Sequence, residues 1–75
     1  MTSKRRQFQQ RIKQRMAALE MNQAELARHC GVSRGTVTEW LGSKAWLPKG
    51  EAMMLLPDAL KCDGHWLLTG RRFRR

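Results

Sequence analysis

No run of apolar residues in this chain approaches the roughly 20 that a membrane span needs, and no apolar stretch follows the charged N-terminus as in a secretory leader. Cysteine is scarce. Cys30 and Cys62 stand far apart in apolar company, which makes no disulfide framework and fits a reducing cytosol. Acids are scarce too, six against fifteen Lys and Arg, for a net charge of +9. Internal repeats, low-complexity stretches and linkers before residue 70 are missing. So is any set of nucleophile, base and acid that would mark a catalytic pocket, and neither cysteine has an activating partner in sequence, so no enzyme is expected. What remains is one small domain of 75 residues, 41% apolar. That is enough for a core, too apolar for a disordered basic tail, and too small to enclose a large active site.

The positive charge sits at the two ends. Residues 1–15 hold Lys4, Arg5, Arg6, Arg11, Lys13 and Arg15 and no acid, and residues 71–75 add Arg71, Arg72, Arg74 and Arg75. Residues 16–70 carry five basic and six acidic groups, a balance of −1. Charge of this kind fits an anionic partner, since each neutralised phosphate releases counterions. The first fifteen residues are accordingly expected to meet DNA, with an arm of about residues 1–6 ahead of the folded domain. The tail from residue 71 reads equally as a DNA contact or as the start of a solvated linker.

Hydrophobic spacing predicts helices and no strand. Phe8, Ile12, Met16 and Leu19 form one stripe of an amphipathic helix beginning between Ser3 and Arg6 and ending near Glu20–Met21. Asn22 with Glu25 three positions on has the spacing of a capping box, and Ala24, Leu26, Ala27 and Cys30 form the apolar side of the second helix. Gly31 closes it. Ser33 caps a third helix from Arg34 to about Leu41, with Val37, Trp40 and Leu41 inward. Ser43–Lys49 reads as a loop. A fourth helix is expected over about Gly50–Lys61. Pro57 inside it removes one backbone hydrogen bond at a cost of about 3 kcal/mol, predicting a kink near Met53 or Met54 or a shortened helix. Asp63 caps a fifth, His65–Thr69, closed by Gly70.

Two short helices joined by Cys30-Gly31-Val32-Ser33 have the form of a helix-turn-helix. The glycine permits the sharp turn, Val32 sets the inter-helix angle by burial, and a polar first turn of the third helix projects with dimensions suited to a major groove.

These residues, Asn22-Gln23-Ala24-Glu25-Leu26-Ala27, Gly31-Val32-Ser33, Val37 and Trp40, resemble the Xre/lambdoid phage repressor and Cro family. Pro48-Lys49-Gly50-Glu51, Ala59-Leu60-Lys61-Cys62 and Trp66-Leu67-Leu68-Thr69-Gly70 extend the likeness over about residues 8–70. The resemblance implies an all-α, compact five-helix domain of the lambda repressor type, a transcriptional repressor binding an inverted-repeat operator in double-stranded DNA as a two-fold homodimer. It implies that Gln23 holds a phosphate and braces Arg34, the first residue of the recognition helix, and that Arg34, Gly35, Thr38 and Glu39 face the bases. Phosphate contacts are expected from Asn22, Gln23, Thr36, Ser43, Lys44, Lys49, Arg11, Lys4, Arg5 and Arg6. Trp66, Leu67, Leu68, Arg71 and Phe73 form the expected dimer seam.

Where relatives pair an Arg late in the first helix with a Glu ending the third, this chain has Met16 and Leu41, so packing replaces an ion pair. Trp40 is expected in the core, while Trp46 is open between DNA, interface and local packing. An antitoxin-like protein-interaction module on the same fold is the alternative function. Further partners would be an antirepressor, or a C-terminal oligomerisation domain if the chain is a fragment; a complete chain would be Cro-like. His29, Cys30, Cys62 and His65 are zinc-ligand types, but the cysteines lie on apolar faces. No metal or other cofactor is expected.

Overall fold

Ser3 opens the first helix by accepting a hydrogen bond from the Arg6 amide at 3.1 Å. From there the chain runs through α1 (Lys4–Ala18), α2 (Gln23–Cys30), α3 (Arg34–Leu41), α4 (Glu51–Ala59) and α5 (Gly64–Thr69). The computed structural model describes residues 3–71, and every regular element among them is helical, as the spacing predicts. The stretch expected as an arm differs: Lys4, Arg5 and Arg6 are the first turn of α1, because Ser3 caps the helix there.

Local chemistry sets the other helix starts. Asn22 and Glu25 complete the capping box, with the Glu25 amide on Asn22 Oδ1 at 2.8 Å and the Asn22 amide on Glu25 Oε1 at 3.1 Å. Ser33 Oγ accepts from the Thr36 amide at 3.2 Å, and Asp63 Oδ2 from the Trp66 amide at 2.8 Å. Each such cap stabilises its helix by about 1 kcal/mol.

Three helices end alike. The amides of Met21, Val32 and Cys62 reach back to the carbonyls of Met16, Ala27 and Pro57 at 2.8, 3.0 and 3.0 Å, and the residue just before each amide is left-handed: Glu20 (φ 52°), Gly31 (φ 67°) and Lys61 (φ 51°). This is the Schellman arrangement. Gly31 adopts it without steric cost, whereas Glu20 and Lys61 carry a Cβ into a region costing about 1–2 kcal/mol. Replacing exposed Glu20 by Gly is therefore expected to stabilise the domain by about 0.5–1 kcal/mol after allowing for the glycine's freedom in the unfolded chain. The readout is a rise of about 2–8 °C in thermal midpoint by circular dichroism; a fall would contradict it.

Pro57 shortens α4 relative to the Gly50–Lys61 expected. The helix holds Pro57 near its end and closes at Ala59, so the missing proline N–H falls in a helix already terminating and its carbonyl becomes the acceptor of the closing turn.

The core joins all five helices. Phe8, Ile12 and Met16 from α1 meet Leu26, Ala27 and Cys30 from α2, Val37 and Trp40 from α3, Ala52, Leu56 and Ala59 from α4, and Leu67 from α5. Met16 is buried and Leu41 packs against the same cluster, so apolar contact does occupy the expected ion-pair position. α2 packs against α3 and α4, while α1 lies between α3 and α5.

Three arginines of α1 hold the C-terminal ends of α3, α5 and α4. Arg6 donates to the carbonyls of Gly42 (3.4 Å) and Ser43 and to Gln9 Oε1 (3.0 Å). Gln9 Nε2 donates to Trp40 O at 3.0 Å and Gly42 O at 2.7 Å, from a position only 2% exposed. Arg11 donates to Leu67 O and Leu68 O at 2.7 and 3.0 Å. Arg15 donates to Leu60 O and Lys61 O at 3.0 and 3.2 Å. Each guanidinium satisfies carbonyls that a helix end leaves without partners, and each places positive charge at the negative end of a helix dipole. Arg6 and Arg11, expected on phosphates, are thus engaged inside the protein.

Candidate nucleic-acid interface

The turn between α2 and α3 puts one side of α3 into the core and the other into solvent. Val37 and Trp40 are buried, Val32 in the turn is half-buried against them, and Arg34, Gly35, Thr38 and Glu39 are all exposed. The first helix of the pair is anchored on its inner side by Leu26, Ala27 and Cys30. The recognition surface is therefore a rigid helix whose outward side chains project from a packed support, a shape that fits the major groove.

Bonds within this surface adjust individual roles. The Thr38 hydroxyl lies 2.8 Å from Gln23 Oε1 and 3.1 Å from Arg34 O. Gln23 thus ties α2 to Thr38 rather than bracing Arg34 as expected, because Thr38 follows Arg34 by one helical turn and its short side chain reaches across to α2. Thr36 faces its own helix start, its hydroxyl 2.9 Å from Ser33 Oγ. A Cβ placed on Gly35 would meet only Ser33 Oγ, at 3.9 Å, so open space lies above it. Asn22 uses its side-chain oxygen in the capping box.

A groove of about 700 Å³ runs beside these residues, lined by Lys13, Asn22, Gln23 and Arg34 over a floor that includes Met16 and Leu41. Lys13 belongs to the basic first fifteen residues expected to meet DNA, though it is not among the phosphate contacts named one by one. The signal for it was available: Lys13 lies three residues before Met16, one turn away on the same side of α1. Lys13→Ala is expected to flatten the dependence of log K on log salt by about 0.9, the effect of one phosphate contact. Fluorescence anisotropy on a duplex over a salt series reads this, and an unchanged slope would place Lys13 in solvent.

The loop after α3 carries exposed Ser43, Lys44 and Lys49. Buried Ala45 and Pro48 pin it to the body. Trp46, 47% exposed, and Leu47 flank a groove of about 490 Å³ whose other wall includes Thr36 and Glu39 of α3, with Lys44 Nζ 6.0 Å from the Trp46 ring centre. Trp46 therefore stands beside the recognition helix rather than in the core. Lys4 and Arg5 are exposed at the far end of α1.

The expected dimer seam divides. Leu67 is 1% exposed and belongs to the chain's own core, so it is closed to a second copy. Trp66 is half-buried and lines a groove with Asp58, Lys61, Cys62 and Asp63, whereas Leu68 and Arg71 line a different one with Lys4 and Arg11. Phe73, with the arginines at 72, 74 and 75, lies outside the described residues. Burial pushes the Cys30 thiol above its ordinary pKa, and does the same at Cys62, where nearby Arg15 lowers it and Asp63 raises it further. Among the described residues no three His, Cys, Asp or Glu side chains converge as metal ligands.

A helix-turn-helix with an exposed polar second helix is the class of domain this arrangement defines. The chain belongs to the Cro/C1-type HTH DNA-binding domain family, which it matches over residues 11–64. It is similar to Repressor protein C2 of Salmonella phage P22, at 36% identity over 61 residues that make up 81% of this chain and 28% of that repressor. The chain therefore spans less than a third of that relative's length. No solved structure matches it closely.

Proposed function

We propose that this chain is a sequence-specific transcriptional repressor that occupies an operator as a two-fold dimer, with α3 in the major groove. The observation that carries this reading is the division of α3: Val37 and Trp40 hold it to the core while Arg34, Gly35, Thr38 and Glu39 face outward together. Arg34 at the helix start has the reach to bond guanine O6 and N7 bidentately. Glu39 suits a cytosine N4 donor, and Thr38, held by Gln23, presents its methyl group to a thymine. Lys13, Lys44, Lys49, Ser43 and the amides at the start of α2 flank this side and fit the phosphate strands. The likeness to a phage repressor supports repression as the outcome.

The same reading puts the dimer seam on the Trp66 side of α5. A two-fold contact sets one patch against itself, and the groove there mixes Asp58 and Asp63 with Lys61 around a half-buried aromatic ring, so opposite charges are available across the axis. Selection of binding sites from random duplex DNA, followed by sequencing, tests the whole reading. An enriched inverted repeat with half-sites about 34 Å, or roughly 10 bp, apart is expected. Binding without any enriched sequence would overturn it.

A further inference from the structure

Among the described residues, a further basic surface lies away from the recognition side. A groove of about 550 Å³ between α1 and α5 is lined by Lys4, Arg11, His65, Leu68 and Arg71, among others, and by no Asp or Glu. Leu68 stands 55% exposed within it. With about 3.6 residues per turn, Lys4 and Arg11 lie on nearly the opposite side of α1 from Lys13, which together with buried Met16 is what α1 contributes to the groove that Arg34 lines. A duplex seated on α3 therefore leaves this groove uncovered. Its charge also disfavours a second copy of the chain, because a two-fold contact here would set Lys4 and Arg71 against their own kind.

From this we infer that the α1–α5 groove is a docking surface for an acidic segment of a partner protein, one that lays an apolar side chain on Leu68 and carboxylates beside Lys4 and Arg71. Arg11 is already bonded to the Leu67 and Leu68 carbonyls and serves as the floor of the groove, adding positive potential without having to move. An apolar centre ringed by charge of one sign suits a peptide with both kinds of group better than it suits a bare phosphate strand, which offers nothing to Leu68. Because the partner would sit away from the recognition helix, the domain could hold DNA and the acidic segment together.

The probe is a short fluorescein-labelled peptide of glutamates with leucines at its centre, followed by anisotropy against the full chain, alone and saturated with a selected duplex. Binding is expected to persist in the DNA-bound protein and to be unaffected by Arg34→Ala. It is expected to weaken about tenfold with Lys4→Glu combined with Arg71→Glu, through loss and reversal of charge at the rim. Leu68→Ser, an exposed change that leaves the core intact, is expected to weaken it severalfold without altering its salt dependence. Loss of the peptide when DNA occupies α3 would overturn the inference, since the acids would then be mimicking phosphates on the recognition side. Insensitivity to the rim and Leu68 variants would overturn it as well, as would displacement of the peptide from the DNA-saturated protein by a second, unrelated duplex. None of these outcomes depends on whether the selected duplex is an operator repeat.

Discussion

Arg34→Ala is expected to abolish discrimination at one base pair in each half-site while leaving the other positions of the preferred sequence readable. A bidentate Arg–guanine contact carries about 1–3 kcal/mol, so the preferred base at that position should lose roughly 5- to 150-fold of its advantage. The size follows from the geometry of the fork: two parallel N–H donors match O6 and N7 of guanine and no other base edge in the groove. Arg34→Lys keeps the charge and loses the fork, so it should retain most of the nonspecific affinity and little of the discrimination. Competition binding with duplexes substituted one base pair at a time separates these effects. Should Arg34→Ala keep the full preference, the reader lies elsewhere on α3, with Glu39 the next candidate.

The second large effect concerns stability. Removing the guanidinium groups of Arg6, Arg11 and Arg15 together, as glutamine, should destabilise the fold by about 3 kcal/mol, at roughly 1 kcal/mol for each partly buried, charge-assisted helix end. For a domain of this size that corresponds to a fall of about 12–24 °C in thermal midpoint. The same variant should leave the salt slope of DNA binding, measured at a temperature where it is folded, within about one unit of the parent. A fall of about three units in slope with little loss of stability would return these arginines to the phosphates. Lys4→Gln and Arg5→Gln form the contrast, since both side chains are exposed at the start of α1, and their removal should leave the midpoint within a degree or two.

These two cases show which parts of the chain were legible in one dimension. Capping residues act within three or four positions of themselves, so Asn22 with Glu25, Ser33 and Asp63 marked helix starts that the structure reproduces closely. The stripe Phe8, Ile12 and Met16 likewise announced the buried side of α1. The helix-turn-helix was legible for the same reason: its turn, cap and plug lie within four consecutive residues. The carbonyls that the arginines hold were not legible, because charge in a sequence does not say what it faces. Arg11 meets carbonyls 56 and 57 residues further on, and only the packing of α1 against α5 creates that contact. Gln9 did leave a trace, a polar residue on the same side of α1 as Ile12 and Met16, where burial demands a hydrogen-bond partner. The Gln23–Thr38 bond left none, since it depends on the angle between α2 and α3 and on a hydroxyl rotor. The residues expected at a dimer seam divide for a geometric reason: residues 66 and 68 are two apart on a helix and point to different sides.

Chemical-shift mapping of the isotopically labelled protein against the selected duplex is the most direct test of where DNA sits. Changes are expected at the start of α2, along Arg34–Glu39, in the loop from Ser43 to Lys49 and at Lys13, with the guanidinium resonances of Arg11 and Arg15 unmoved. Shifts concentrated instead on Lys4, Arg11 and Arg15, with α3 silent, would contradict the docking through α3 and restore the N-terminal charge as the DNA-binding surface.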